Sequence, residues 1–380
     1  MAVVRRTRIL IVDDSAVMRG LLRSVVSSDG RLEVAGTAAD GASALGCLET
    51  ARPDLILLDV EMPVMDGLVT LRQLRSRGYK MPVIMCSSLT QSGAQVTLEA
   101  LAVGASDYVA KPQGQSSRED AKRALAEDLI PKIHALTSQA YPLPQPAAQE
   151  GARRGVLFPF TGPAAPPARP QQNNAIPSLL TIGVSTGGPA ALDAILPLFP
   201  ANFPLPILVV QHMPELFTRL LAERLNGRCP LRVREAAEGV PVSAGSIHIA
   251  RGNWHMEVLP AASAAARPTL HLSQGPQENH CRPAADVLFR SAARVYGSGV
   301  VAVVLTGMGS DGLNGCRIIR EQGGSVLAQD RATSTVWGMP GAVANAGLAH
   351  KVLPLGAIVP EVLRIAGRAP LAAEARRMVV

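Results

Sequence analysis

Aromatic side chains are scarce: six Phe, four Tyr and two Trp make up 3% of 380 residues. So few cannot build the extended base-stacking platform of a single-strand nucleic-acid binder. Cysteine is sparse as well. Cys47, Cys86, Cys229, Cys281 and Cys316 are odd in number, scattered and never spaced C-x-x-C. That pattern supports neither a disulfide framework nor a structural zinc site, and it points to reduced thiols in the cytoplasm. No apolar run approaches the ~20 residues of a membrane helix, so no membrane insertion is expected. The first apolar stretch, Ile9-Leu10-Ile11-Val12, follows three arginines but meets Asp13 and Asp14 at once. It reads as a strand and not as a secretory segment.

What is present is a chain with 47% hydrophobic residues, enough for real cores, and a formal charge of +7. The length suggests two domains. Up to Leu136 there are 16 Lys+Arg and 16 Asp+Glu; residues 137–177 carry three Arg and one Glu; the remainder holds 18 against 13. The excess therefore sits beyond residue 136, and its physical implication is a polyanionic partner.

Nine of the 41 residues from Thr137 to Pro177 are proline and eight are alanine. Such a stretch sustains neither helix nor sheet and reads as a semi-rigid linker, with Leu157-Phe158-Pro159-Phe160 as its apolar island. The expected organisation is residues 1–136, a linker over 137–177, and a second domain over 178–380. Before the linker, strand-like runs at 8–13, 32–37, 54–59, 82–87 and 107–110 alternate with amphipathic helical stretches. That alternation predicts a five-stranded parallel sheet covered on both faces. After it, runs at 179–184, 206–211, 300–305 and 324–329 repeat the logic. The irregular segment 245–272 reads as hairpins over 246–250, 255–259 and 269–272. The second domain is thus expected to be a Rossmann-like, doubly wound, mostly parallel sheet with an antiparallel hairpin.

In doubly wound sheets, ligands bind beyond the carboxyl ends of the strands. Asp13, Asp14 and Asp59 fall there in the first domain, and three converging carboxylates call for a hard cation such as Mg²⁺. Ser87 and Lys111 end the next strands and add a hydroxyl and an ammonium. One carboxylate could then act as a nucleophile toward a phosphoryl group. The segments Ile11-Val12-Asp13-Asp14-Ser15, Leu57-Leu58-Asp59-Val60-Glu61-Met62-Pro63, Met65-Asp66-Gly67 and Gly104-Ala105-Ser106-Asp107-Tyr108-Val109-Ala110-Lys111-Pro112 resemble the flavodoxin-like receiver domain of response regulators. The resemblance implies Asp59 as phosphoacceptor, Asp14 and Asp59 as Mg²⁺ ligands supported by Asp13, and Ser87 and Lys111 as phosphoryl sensors. It also implies a cis bond at Lys111-Pro112.

Beyond the linker, Gly183-Val184-Ser185-Thr186-Gly187-Gly188 brings a serine to a strand–turn–helix junction. A phosphate cradle is the rival reading, but neither the G-x-G-x-x-G spacing nor a P-loop lysine is present. His212 follows the next strand and Asp311 follows the strand at 300–305. Nucleophile, base and orienting carboxylate thus share one sheet edge, with Asp330 as the second candidate for the carboxylate. His248, His255, His271 and His280 lack zincin spacing and read as core or loop histidines, and Asp286 as part of a helix start. A DNA-binding output would need a helix-turn-helix with basic residues, and the strand-rich second half disfavours it.

The motifs around Ser185, with Val210-Gln211-His212-Met213-Pro214, Arg282-Pro283-Ala284-Ala285-Asp286-Val287-Leu288-Phe289 and Leu305-Thr306-Gly307-Met308-Gly309-Ser310-Asp311-Gly312, resemble the CheB family of chemotaxis protein-glutamate methylesterases. The resemblance implies Ser185 as nucleophile, His212 as base and Asp311 as orienter, with Thr186 and Met308 at the oxyanion and substrate. It implies a cytoplasmic, phosphorylation-regulated hydrolase that demethylates chemoreceptor glutamates and deamidates receptor glutamines. Its partners would be methyl-accepting chemoreceptors and a chemotaxis histidine kinase as phosphodonor, not nucleic acid. Mg²⁺ would serve the receiver, and no cofactor the esterase. A paralogue acting on a different sensory array is the alternative.

Overall fold

The computed structural model describes residues 5–112, 117–137, 176–263 and 265–367. Most of the proline-rich stretch, including residues 157–160, lies outside the described residues.

The first unit runs β1 (Thr7–Val12), α1 (Ala16–Val26), β2 (Leu32–Ala38), α2 (Gly41–Ala51), β3 (Leu55–Asp59), α3 (Gly67–Ser76), β4 (Val83–Ser87), α4 (Gln91–Ala102), β5 (Asp107–Ala110) and α5 (Arg118–Thr137). Its sheet is parallel throughout, in the order β2-β1-β3-β4-β5. β3 and β4 are buried along their whole length, as near-continuous apolar runs require when helices cover both faces. The helix starts are written locally. Ser15, Asp40, Asp66 and Thr90 each accept a hydrogen bond from an otherwise orphaned first-turn amide.

The second unit continues with β6 (Leu179–Val184), α6 (Gly188–Ile195), β7 (Ile207–Gln211), α7 (Glu215–Asn226), β8 (Arg232–Glu235), β9 (Ser246–Ile249), β10 (His255–Leu259) and β11 (Thr269–Ser273). Then follow α8 (Ala285–Tyr296), β12 (Val300–Val304), α9 (Leu313–Glu321), β13 (Ser325–Gln329), α10 (Met339–Asn345), β14 (Lys351–Leu353) and α11 (Leu355–Ala366). Seven strands form a parallel sheet in the order β14-β13-β12-β6-β7-β9-β8, and β10 and β11 pair separately as an antiparallel hairpin. Residues 246–250, expected in a hairpin, instead supply β9, which lies parallel between β7 and β8. The Lys111-Pro112 bond is not cis; among the described residues Arg282-Pro283 is the cis peptide. No helix of the described residues is long and apolar enough to cross a membrane.

The two units pack directly against each other. α4 lies on α6 and α7, and the ring of Tyr108 stacks on Phe217 with centroids 4.5 Å apart and 18° between planes. Met308 and Val336 join the apolar cluster beneath Leu125, Leu129 and Leu136 of α5.

Candidate active site

Strand order reverses direction between β1 and β3 in the first sheet and between β6 and β12 in the second. Both candidate sites sit at these switch points, where neighbouring loops splay apart and leave a crevice.

At the first, Asp13, Asp14 and Asp59 each bring a carboxylate oxygen within 4.8 Å of the others. Lys111 Nζ lies 2.8 Å from Asp13 Oδ2 and 2.7 Å from Asp59 Oδ2. Ser87 is buried at the end of β4, its hydroxyl donating to the Ser88 carbonyl at 3.1 Å. One ammonium against three carboxylates leaves negative charge uncompensated. Burial pushes Asp59 up to about 6, with Lys111 opposing and Asp13 reinforcing the rise. An all-oxygen donor set with one exposed member, Asp14, fits a hard divalent cation that keeps part of its water.

A stability test follows. Asp59 holds its proton more tightly folded than unfolded, so stability is lost as pH rises from about 4 through 6. Asp59→Asn removes that penalty. In Mg²⁺-free buffer at pH 7.5 it should raise Tm by a few degrees, about 1–3 kcal/mol, while abolishing labelling by acetyl phosphate. A Tm difference that fails to narrow toward pH 4 would contradict the assignment.

At the second switch point, Ser185 occupies the tight link between β6 and α6. Its N–H donates to the Thr306 carbonyl at 3.0 Å, and its own carbonyl accepts from Gly188 N at 2.7 Å and Gln211 Nε2 at 3.0 Å. Two glycines make the link possible. Gly187 adopts φ +77°, and a Cβ on Gly307 would fall 2.8 Å from the Cβ of Ser185. Thr306 Oγ1 fastens the same link by donating to the Thr186 carbonyl at 2.8 Å.

His212 follows β7, and its Nε2 meets Asp311 Oδ2 at 2.8 Å. Asp311 is 2% exposed and heavily provisioned with donors. Ala285 N reaches Oδ2 at 2.6 Å, while Asp286 N, Gly312 N and Asn279 Nδ2 reach Oδ1 at 3.0, 2.9 and 2.8 Å. The first two belong to the start of α8, where orphaned amides and the helix dipole favour an anion. Burial works against the charge, but His212 and these N–H groups hold Asp311 below the usual carboxylate range. Burial likewise opposes a charged His212, yet Asp311 and Cys281 carry it up to about 9. Among the described residues no hydrogen bond reaches Ser185 Oγ.

The other expected residues divide. Asp330 accepts from Thr333 N and Oγ1 and caps its own loop, leaving Asp311 as the carboxylate on His212. Asp286 stands in the first turn of α8, buried and pushed up by burial, and accepts from Gly315 N at 2.6 Å. His255 Nε2 meets the Pro276 carbonyl at 2.9 Å and His271 Nδ1 meets Glu238 at 3.0 Å. Thr186 donates its hydroxyl to Asp107 Oδ2 at 2.6 Å. Met308 borders an approximately 440 Å³ cleft shared with Ala135 of α5 and Trp337.

Four contributors carry no role expected from the sequence: Gln211 and Thr306 behind Ser185, and Asn279 and Cys281 beside the His–Asp pair. The first two stand inside motifs around the triad, whereas the last two only precede the Arg282-Pro283 motif. Asn279 Nδ2 bridges Asp311 Oδ1 and Asp286 Oδ2, the latter at 3.0 Å, and so fixes which oxygen faces His212. Asn279→Ala should lower kcat by about tenfold with KM little changed, because orientation and not binding is lost. A change confined to KM would refute that role.

Comparison with known proteins shows the family to which the chain belongs. A CheB methylesterase family model matches residues 180–362, and a response regulator receiver domain model matches residues 9–121. A protein-glutamate methylesterase/protein-glutamine glutaminase from Nocardioides sp. is 49% identical over 357 residues, 94% of each chain. One from Trichodesmium erythraeum is 45% identical, covering 95% of this chain and 99% of its own. Among solved structures, the Thermotoga maritima CheB methylesterase catalytic domain is 41% identical with a TM-score of 0.48, covering 50% of this chain and 98% of its own. The chain belongs to the protein-glutamate methylesterase/protein-glutamine glutaminase family, CheB-type hydrolases that carry their own receiver domain.

Proposed function

We propose that this chain hydrolyses γ-methyl esters of glutamate on methyl-accepting chemoreceptors, and deamidates receptor glutamines, through an acyl-enzyme on Ser185. The observation that carries the residue assignment is the His212–Asp311 pair, 2.8 Å apart at the crevice into which the Ser185 link opens. A serine hydroxyl is too weak an acid to attack unaided, so His212 takes its proton through Nδ1, the ring nitrogen not committed to Asp311. Ser185 Oγ adds to the ester carbonyl. Backbone N–H groups of the Ser185 turn and the Met308 loop hold the oxyanion, the larger electrostatic contribution in such reactions. The C–O bond breaks, methanol leaves with the proton from His212, and water releases glutamate by the same steps. Ammonia leaves in place of methanol when the substrate is glutamine. Methanol release from methylated receptor membranes, compared between wild type and Ser185→Ala, tests the assignment.

Control comes from the first unit. Asp59 accepts a phosphoryl group from a chemotaxis histidine kinase in the cytoplasm; Asp14 and Asp59, supported by Asp13, would hold a Mg²⁺ ion that supplies charge neutralisation for the phosphoryl group. Ser87 and Lys111 register the modification. In the unphosphorylated chain the β5–α5 face covers the approach to Ser185, a reading supported by the Thr186–Asp107 bond and the Tyr108–Phe217 stack. The excess of basic residues beyond the receiver suits a glutamate-rich receptor bundle.

A further inference from the structure

The turn from Glu278 to Cys281 closes on reciprocal backbone bonds of 3.1 and 2.9 Å. Its two central residues, Asn279 and His280, sit at φ +53° and +62°. Two consecutive left-handed residues without a glycine form a costly backbone, kept only where surroundings enforce it. Glu278 supplies part of that enforcement by a two-pronged ion pair with Arg290 of α8. The conformation delivers two side chains to the triad. Asn279 goes to Asp311, and Cys281 Sγ comes to 3.5 Å from His212 Nδ1.

That second contact falls on the nitrogen the reaction needs. Nε2 is committed to Asp311, so Nδ1 must collect the proton of Ser185, and here it faces sulfur. We propose that Cys281 is a positioning residue for the esterase reaction, whose sulfur occupies His212 Nδ1 in the resting enzyme and competes with Ser185 Oγ for it. This rests on the reading of His212 as the general base. With Asp311 and Cys281 carrying the ring up to about 9, it rests charged, donating from Nε2 to Asp311 and from Nδ1 to the sulfur, and it becomes a base only when the sulfur gives way. The titratable and charged groups around it are Asp311 after β12, Cys281 on the turn and Asp286 of α8 behind Asn279. The Glu278–Arg290 pair anchors the turn, and burial alone would discharge the ring.

Removing the sulfur leaves Asp311 as the ring's one acceptor, so the proton leaves at lower pH. The test is the pH profile of kcat/KM on methylated receptor membranes for full-length wild type, Cys281→Ala and Cys281→Ser. The acid limb of Cys281→Ala should move down by about one pH unit, with Cys281→Ser between, and kcat/KM at pH 7 should rise severalfold. An acid limb that stays in place or moves upward overturns the proposal. Should the alanine variant be too unstable to assay, the ¹⁵N ring titration of His212 in Ser185→Ala and Ser185→Ala/Cys281→Ser chains decides the same question. The pKa must fall when the sulfur is replaced, and an unchanged value overturns the idea. The underlying base assignment fails separately, if Ser185→Ala or His212→Ala retains full activity.

Discussion

Ser185→Ala should lower methanol release by about 10⁴-fold or more, the scale on which triad nucleophiles act. The loss is large because no second group in the crevice can replace the hydroxyl. Cys281 also reaches His212, but its sulfur is held on a turn locked by Glu278 and Arg290. The variant should fold normally, since among the described residues no hydrogen bond reaches Ser185 Oγ, and the link is held by backbone, Gln211 and Thr306. Glutaminase activity must fall by the same factor, because both reactions pass through one acyl-enzyme. Loss of demethylation with deamidation intact would show two separate mechanisms, and retained activity in both would remove Ser185 from the chemistry.

The second large effect concerns the cover. Asp107→Ala combined with Tyr108→Ala should raise the basal rate of the unphosphorylated chain by about 10- to 100-fold. The pair removes a hydrogen bond to a buried carboxylate, worth about 1.5–3 kcal/mol. It also removes an aromatic stack worth about 0.5–1.5 kcal/mol beyond its burial. Together, at about 2–4.5 kcal/mol, these shift the closed–open balance by about one and a half to three factors of ten, until the rate saturates at that of the open form. A chain beginning near Ser178 sets that ceiling. Phosphorylation should add little to the double variant, which distinguishes an opened cover from a generally improved enzyme. If the basal rate stays at the wild-type value, the inhibitory cover is wrong and the esterase chemistry stands.

Much of this is legible in the sequence, for physical reasons. Strands buried on both faces, such as Leu55–Asp59 and Val300–Val304, announce themselves as unbroken apolar runs, and the reacting groups follow them directly. The edge strands do not. Arg232–Glu235 and Lys351–Leu353 are short and partly exposed, so no run of apolar residues marks them. Ser246–Ile249 reads as hairpin material because its true partners run parallel to it: Arg232–Glu235 just before it along the chain, and the more distant Ile207–Gln211. Asn279 and Cys281 stay hidden for another reason. They act through a tight turn whose left-handed backbone only the folded environment imposes, and nothing in their spacing advertises it. Thr186, beside the nucleophile, also donates its hydroxyl to a carboxylate 79 residues earlier, a contact no local spacing announces.

Strand β5 begins with Asp107, which holds the Ser185 loop, and leads straight into Lys111, which holds Asp59. A coupling carried on one strand is symmetric. Whatever phosphorylation contributes to opening the cleft, receptor occupancy of the cleft returns to the receiver as tighter binding of phosphoryl group and metal, by an equal factor. At equilibrium, substrate held in the cleft is therefore expected to favour the phosphorylated receiver.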